Sequence, residues 1–408
     1  MLSRPVCFIN ARVVTEAGVA RSVRFASRVL DIDTPPQPTD TVVDLDGATV
    51  FPGLINAHDH LELNHYGQLK SRTVYSNASE WIEEMRPRIE HDRPIRASRA
   101  HPLADRLFIG GLKNLLSGVT TVAHHNPFYA ELRFWFPVRV VRRYGWAHSL
   151  FLQDGRAGAN GEPAGDVARR YQGTPPDCPF LLHLAEGTDD AARQELRRLD
   201  EMGCLGDNTV IVHGVGLDDH DWARIIARGA SLVWCPASNR FLLGHSPPIR
   251  RFMGASADAA PRISLGTDSR LTGSRDLLDE MRCAVEEAEA TPRDVARMVG
   301  ANAARALRLP EAGRITPGLP ADLLVLPSRT EDPFDGLLAA ARADVLMVIV
   351  DGRPMVGDPE LSGVFAGRRT RAALARLDER VKLVDEQLAH RVRHCAIRES
   401  GLDCDPCG

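Results

Sequence analysis

Short apolar runs recur through the middle of the chain, and polar residues close them. GLINAH (53–58), GVTTVAH (118–124), WAHSLFL (146–152), PFLLHL (179–184), NTVIVH (208–213), ASLVWCP (230–236) and RISLGT (262–267) alternate with helical stretches. That alternation predicts parallel strands joined by crossover helices, an α/β fold. Seven runs are legible, whereas a (β/α)8 TIM-like barrel needs eight. The weak place is 155–178, GRAGANGEPAGDVARRYQGTPPDC, where glycine and proline leave space for little more than a short helix. Either one strand is degenerate there or the barrel is incomplete.

The two ends of the chain read differently. VCFINARVV, SVRFASRVLDI and TVVDLDGATV, within residues 5–50, are short β segments separated by turns, and so are ADLLVLP (321–327) and DVLMVIVDGRPMV (344–356). Beyond them, Leu374, Leu377, Val381, Val384 and Leu388 follow a 3-4 spacing that predicts a helix with one narrow apolar stripe inside 367–395. The expected division is a barrel over 51–310, a β module from 1–50 and 311–358, and a helical extension over 359–408.

Composition narrows the function classes. The chain of 408 residues is 44% hydrophobic and 25% charged, the balance of a packed globular protein rather than a disordered one. A net charge of −4 gives no basic field for nucleic acid or an anionic membrane, so a small molecule is the expected partner. No apolar run approaches the roughly 20 residues that cross a bilayer, and the opening MLSRPVCFINARVV lacks a signal-peptide core; a cytoplasmic protein is expected. Eight scattered cysteines do not form a disulfide scaffold. Arginine outnumbers lysine 47 to three, the lysines being Lys70, Lys113 and Lys382.

The chemistry sits at the ends of the apolar runs, where a parallel barrel carries its active site. His58 and His60 close the first run in AHDH, and a spacing of two turns both imidazoles to one face of a strand. His183, His213 and Asp268 close three later runs. Imidazoles and a carboxylate converging from four strand ends suit zinc or ferrous iron.

The set PGLINAHDH, SGVTTV, HLAEG, VHGVGL, CPASN and GTDS resembles the metal-dependent amidohydrolase superfamily, in its cytosine, guanine and S-adenosylhomocysteine deaminase and triazine-hydrolase branch. The resemblance spans about residues 5–356. It implies that the flanking strands build a small β-sandwich from both chain ends. It also implies that His58, His60, His183 and Asp268 hold one divalent metal, zinc or alternatively iron. Glu186 would shuttle protons, and His213 would sit beside the reacting oxygen, with Asp268 also catalytic. Two-metal members bridge their ions with a carbamylated lysine in mid-barrel; no lysine occurs between 113 and 382, which leaves a mononuclear site.

Position at strand ends nominates further substrate contacts: Glu62, Asn64 and His65 after the first run, His125 after the second, Asp154 and Arg156 after the third. Asn239 and Arg240 follow CPAS, and Ser269 and Arg270 follow Asp268. The arginines suggest an anionic group on the substrate, and Trp81 a stacking surface. His390, His394, Cys404 and Cys407 could form a structural zinc site in the tail, against the simpler reading of surface histidines and a loose end. The expected activity is hydrolytic deamination of a heterocycle, in a protein that could be a homodimer. The rivals are hydrolysis of a cyclic or linear amide, and a barrel that binds without catalysis.

Overall fold

The computed structural model describes residues 3–150, 167–257, 259–288 and 290–404. Eight parallel strands fill the middle of the chain: β1 (Leu54–Asp59), β2 (Val119–His124), β3 (Arg139–Val140), β4 (Gly145–Ser149), β5 (Phe180–Leu184), β6 (Thr209–His213), β7 (Ser231–Trp234) and β8 (Ile263–Leu265). They hydrogen-bond as two arcs, β3-β2-β1 and β4-β5-β6-β7-β8. Past the end of β8, the Asp268 N–H donates to the His58 carbonyl at 3.1 Å, tying the last strand end to the first. β1, β2, β5, β6, β7 and β8 are buried along their whole length, which is why they read as continuous apolar runs rather than alternating ones.

The strand missing from the sequence pattern lies upstream of its expected place. β3 is a two-residue element inside PVRVVRR, too short to show any period, and only residues 141–144 join it to β4. Its register against β2 pairs Arg139 with Thr121 and Val140 with Val122. The Arg139 guanidinium reinforces that pairing by donating to Thr121 Oγ1 (3.1 Å) and to Asp322 (2.5 Å). Within 155–178, the described part holds a short helix, Val167–Gln172, and no strand.

The terminal segments form two further sheets. Val6–Ile9, Val23–Phe25, Val29–Ile32 and Thr41–Asp44 make one of four strands. In the other, of nine strands, Thr49–Pro52 runs antiparallel to Leu323–Leu326, so the two ends of the chain meet in one ladder. A single apolar cluster draws Phe8 and Phe25 from the first sheet and Val50, Leu323 and Ile349 from the second.

The expected helix over 367–395 does not form. Ala372–Leu377 and Arg380–Asp385 are an antiparallel hairpin on the nine-stranded sheet, and only Glu386–Arg393 is helical. The turn residues Asp378 and Glu379 have φ of 43° and 69°, which breaks a helix and matches the twist of a two-residue hairpin turn. The apparent stripe is split: Leu377 and Val384 are buried, whereas Leu374 and Val381 are exposed. Among the described residues no helix is long and apolar enough to cross a membrane.

Candidate active site

Three strand ends deliver the metal-type ligands to one point. His58 and His60 leave β1 with ring centroids 4.9 Å apart. Asp268 Oδ1, beyond β8, lies 3.8 Å from His58 Nε2 and 3.7 Å from His60 Nε2. His183, on β5, brings its Nε2 within 3.2 Å of His60 Nε2. Donor atoms about 2.0–2.2 Å from a tetrahedral zinc stand roughly 3.3–3.6 Å apart, so His58, His60 and Asp268 are spaced close to the edges of one coordination polyhedron, with His183 beside it at His60. Holding them has a backbone cost: His213, Asp268 and Ala185, which precedes Glu186, sit at φ of 75°, 51° and 53°. Non-glycine residues tolerate the left-handed region only where their surroundings over-determine it.

Hydrogen bonding decides which nitrogens are free. His125 Nε2 lies 3.0 Å from the Ala147 carbonyl, which can only accept, so that nitrogen carries the proton. Burial holds the His58, His125 and His183 rings well below the ordinary histidine range, and each is therefore neutral. His125 Nδ1 is then an acceptor, and His58 Nδ1, 3.3 Å away, donates to it. His58 Nε2 is left as a buried lone pair with no hydrogen-bond partner, aimed at Asp268. His183 Nδ1 donates likewise to the His148 carbonyl at 2.7 Å and frees its Nε2. Bare imidazole nitrogens around a carboxylate are a donor set for a divalent cation, so these residues fit a metal.

Beside this cluster, His213 Nδ1 lies 2.8 Å from Asn239 Oδ1 and donates to it, which turns Nε2 toward Glu186 Oε1 at 3.5 Å. Burial and the nearby Asp268 charge push the Glu186 carboxyl up to about 7, against the pull of His213. A proton at this pair is poised to move near neutral pH. Asp268 goes the other way. Burial raises it, but the His60 and His213 charges and the Thr272 and Ser238 hydroxyls outweigh that and hold it below the ordinary range. Its Oδ2 accepts from Ser238 (2.8 Å) and Thr272 (2.7 Å), leaving Oδ1 to face the histidines.

A cavity of about 720 Å³ opens above the cluster, with His60, His183, Glu186, His213 and Asp268 in its wall. Glu62, Ser269 and Trp81 also line it. The Glu62 carboxylate is gripped by the Asn126 amide and the Tyr129 hydroxyl, and its Oε2 has no hydrogen-bond partner. The Trp81 indole N–H donates to the Leu69 carbonyl at 2.9 Å, which fixes the ring against the cavity. Other nominated residues lie elsewhere. His125 is behind His58, Asn64 is buried in a polar network under β1, and Asn239 serves His213. Arg240 pairs with Glu287 on the surface, and Arg270 makes a two-pronged bond to the buried Glu399. His65 is half-buried against Tyr66 and is not in the cavity wall. Asp154, Arg156 and Cys407 lie outside the described residues.

Two residues escaped the sequence reading. His148 stands one residue before the end of β4, inside the run WAHSLFL, and it lines the cavity beside His183 with ring centroids 4.9 Å apart. Lys113 lies on a helix, where no run ends; its signal was the rarity of lysine itself.

Residues 182–355 match the amidohydrolase family. A 5-methylthioadenosine/S-adenosylhomocysteine deaminase of Thermococcus onnurineus is 33% identical over 379 residues, which cover 79% of this chain and 86% of that protein. The chain belongs to the amidohydrolase family. It is accordingly a hydrolase acting on carbon–nitrogen bonds. Two solved structures share its fold, and with it the TIM-barrel architecture of the amidohydrolase family. An adenosine deaminase from Xanthomonas campestris with bound zinc has a TM-score of 0.64 at 20% identity, over 89% of this chain and 97% of that one. The atrazine chlorohydrolase of Arthrobacter aurescens, complexed with zinc, has a TM-score of 0.69 at 17% identity, over 89% and 99%.

Proposed function

We propose that this protein is a mononuclear metal-dependent aminohydrolase that removes an exocyclic amino group from an adenosine-type heterocycle. The observation carrying this reading is the 3.5 Å contact between Glu186 and His213 beside the cluster of His58, His60, His183 and Asp268. The relatives named as deaminases of 5-methylthioadenosine and S-adenosylhomocysteine, or of 5′-deoxyadenosine, support the substrate class. A cavity larger than a purine ring supports a substituent on it.

His58, His60, His183 and Asp268 would hold one zinc ion, with ferrous iron the alternative, supplying the Lewis acidity that lowers the pKa of water from about 15.7 toward about 7. Glu186 takes the proton that the attacking water sheds and passes it to the amino nitrogen, which leaves as ammonia. The ring carbon thereby exchanges its C–N bond for a C–O bond. His213, anchored through Asn239, donates from Nε2 to the oxygen that becomes negative. Asp268 stays ionised throughout, since the His60 and His213 charges, helped by the Thr272 and Ser238 hydroxyls, hold its pKa down against burial. Trp81 offers a fixed ring face on which a heterocycle can stack.

The wider architecture follows the same reading. The two arcs form one closed barrel over 51–310, and the strands of 1–50 and 311–358, sharing one apolar core, form a composite β-sandwich whose larger sheet is extended by the hairpin Ala372–Leu377 and Arg380–Asp385.

Protein stripped of metal is expected to be inactive and to recover with about one equivalent of zinc per chain. Ammonia release should be followed with adenosine, 5′-deoxyadenosine, 5′-methylthioadenosine and S-adenosylhomocysteine, alongside cyclic and linear amides. Release from a nucleoside supports the proposal. Cleavage of an amide without ammonia moves the protein to the rival hydrolases, and failure to take up metal overturns the mechanism.

A further inference from the structure

The three lysines of this arginine-rich chain share one habit. Each ammonium converges on backbone carbonyls: Lys70 on Thr73 and Phe241, Lys382 on Ala343 and Val345, and Lys113 on Asp268. A compact ammonium brings three tetrahedral donors to such carbonyls from a single nitrogen. Lys113 is the one beneath the candidate site. It rises from the helix Leu103–Leu116, which lies so close to the chain after β1 that a Cβ on Gly110 would come within 2.4 Å of the Leu61 carbonyl.

The Lys113 side chain is fully buried, as is that of its partner Asp59, with Nζ to Oδ2 at 3.1 Å. Asp59 stands between His58 and His60, and Asn64 (2.7 Å) and Asn114 (2.8 Å) also donate to its carboxylate. On its other side the ammonium donates to Thr267 Oγ1 at 2.9 Å and to the Asp268 carbonyl at 3.2 Å. It also donates to Asn64 Oδ1 at 2.8 Å, and that same oxygen accepts the Arg270 N–H at 3.1 Å. One cation therefore touches the strand end carrying His58 and His60 and the strand end carrying Asp268. Those two ends belong to different hydrogen-bonded arcs of the parallel sheet.

We propose that Lys113 is a positioning residue: its ammonium clamps the Asp268 backbone, in its left-handed conformation, against the end of β1, and so sets the spacing between Asp268 Oδ1 and the two histidine nitrogens. This rests on the metal reading for its functional consequence and on the observed contacts for its structural one. A bond to the Asp268 carbonyl stabilises a conformation that the residue disfavours by itself, and the Thr267 hydroxyl donates to the same oxygen at 2.8 Å. The contact with Asp59 compensates the charge that the clamp brings into the interior.

The test separates clamping from charge balance. Lys113→Met leaves Asp59 buried and unpaired and is expected to lose stability. Lys113→Met with Asp59→Asn removes both charges and is expected to recover most of the melting temperature. Zinc affinity, measured by chelator competition on the folded proteins, should stay about 10–100-fold below wild type in the double variant. Lys113→Arg should not restore it. Hydrogen exchange at the amides of 266–270, followed in metal-free protein, should be faster in the double variant than in wild type. Recovery of both zinc affinity and slow exchange in the double variant overturns the proposal, because Lys113 would then only neutralise Asp59. Should wild type itself take up no zinc, the functional reading fails, and the exchange rates alone decide between clamp and neutraliser.

Discussion

In the proposed reaction Glu186 passes a proton, and its carboxyl, pushed up to about 7 by burial, is half loaded at neutral pH. Glu186→Gln keeps the shape and removes the proton carrier. It is expected to lower kcat by about 10²–10⁴-fold while metal content, read by elemental analysis, is unchanged. Glu195 gives a second prediction at this scale. Its carboxylate accepts the Ala185 N–H at 2.6 Å and so supports the turn between His183 and Glu186, yet burial pushes it up to about 8 from an ordinary 4.5. Between those values the folded chain keeps a proton that the unfolded chain has released, so stability falls as pH rises through that window. Glu195→Gln, uncharged at every pH, should melt close to wild type near pH 5 and above it at pH 8.5. An equal gap at both pH values would count against the assignment. The histidines of the candidate site were legible in the sequence because they lie at or just past the ends of apolar runs; Lys113 and the tautomer chain through His125 were not, because both depend on partners distant in sequence.

At the scale of elements, the six fully buried strands announced themselves as apolar runs, whereas β3 did not. A two-residue strand owes its place to its pairing with β2 and to Arg139, not to its own pattern. The tail erred in the opposite direction. A 3-4 spacing of leucine and valine looked helical, but the left-handed pair Asp378 and Glu379 made a hairpin of it. Helix placement carries its own prediction. Gly110→Ala would drive a methyl group into the Leu61 backbone, which cannot give way like a flexible side chain. We expect a loss of about 1–3 kcal/mol in urea unfolding, with weaker zinc binding because Leu61 directly follows His60. Full stability in that variant would show that the helix is free to shift outward.

At the scale of the whole molecule, the described part of the C-terminal extension, residues 359–404, is tied to the barrel by a buried network of charges. Glu399 accepts from Arg270, two residues past Asp268, and from Arg342, with both Glu399 and Arg342 almost wholly buried. Arg342 also grips Asp378 in the hairpin turn through two hydrogen bonds, at 2.6 and 2.7 Å. Glu399→Gln is expected to cost about 3–5 kcal/mol, because it removes the carboxylate that Arg270 faces and leaves the buried Arg342 with Asp378 as its remaining carboxylate. Added salt should not mask the loss, since the pairs are shielded from solvent. A change below about 1 kcal/mol in thermal or urea unfolding would mean that water already reaches them. By itself the sequence determined the α/β class, the barrel strands with long apolar runs, and the histidines and carboxylates of the site. Those features are local: a buried strand must be apolar, and a ligand on it must break the pattern at its end. Tertiary structure alone decided the two-residue strand, the hairpin in place of a helix, the tautomers of the site histidines, and the partners of the buried Lys113. Each of these is set by contacts between residues far apart in the chain, and no local period records them.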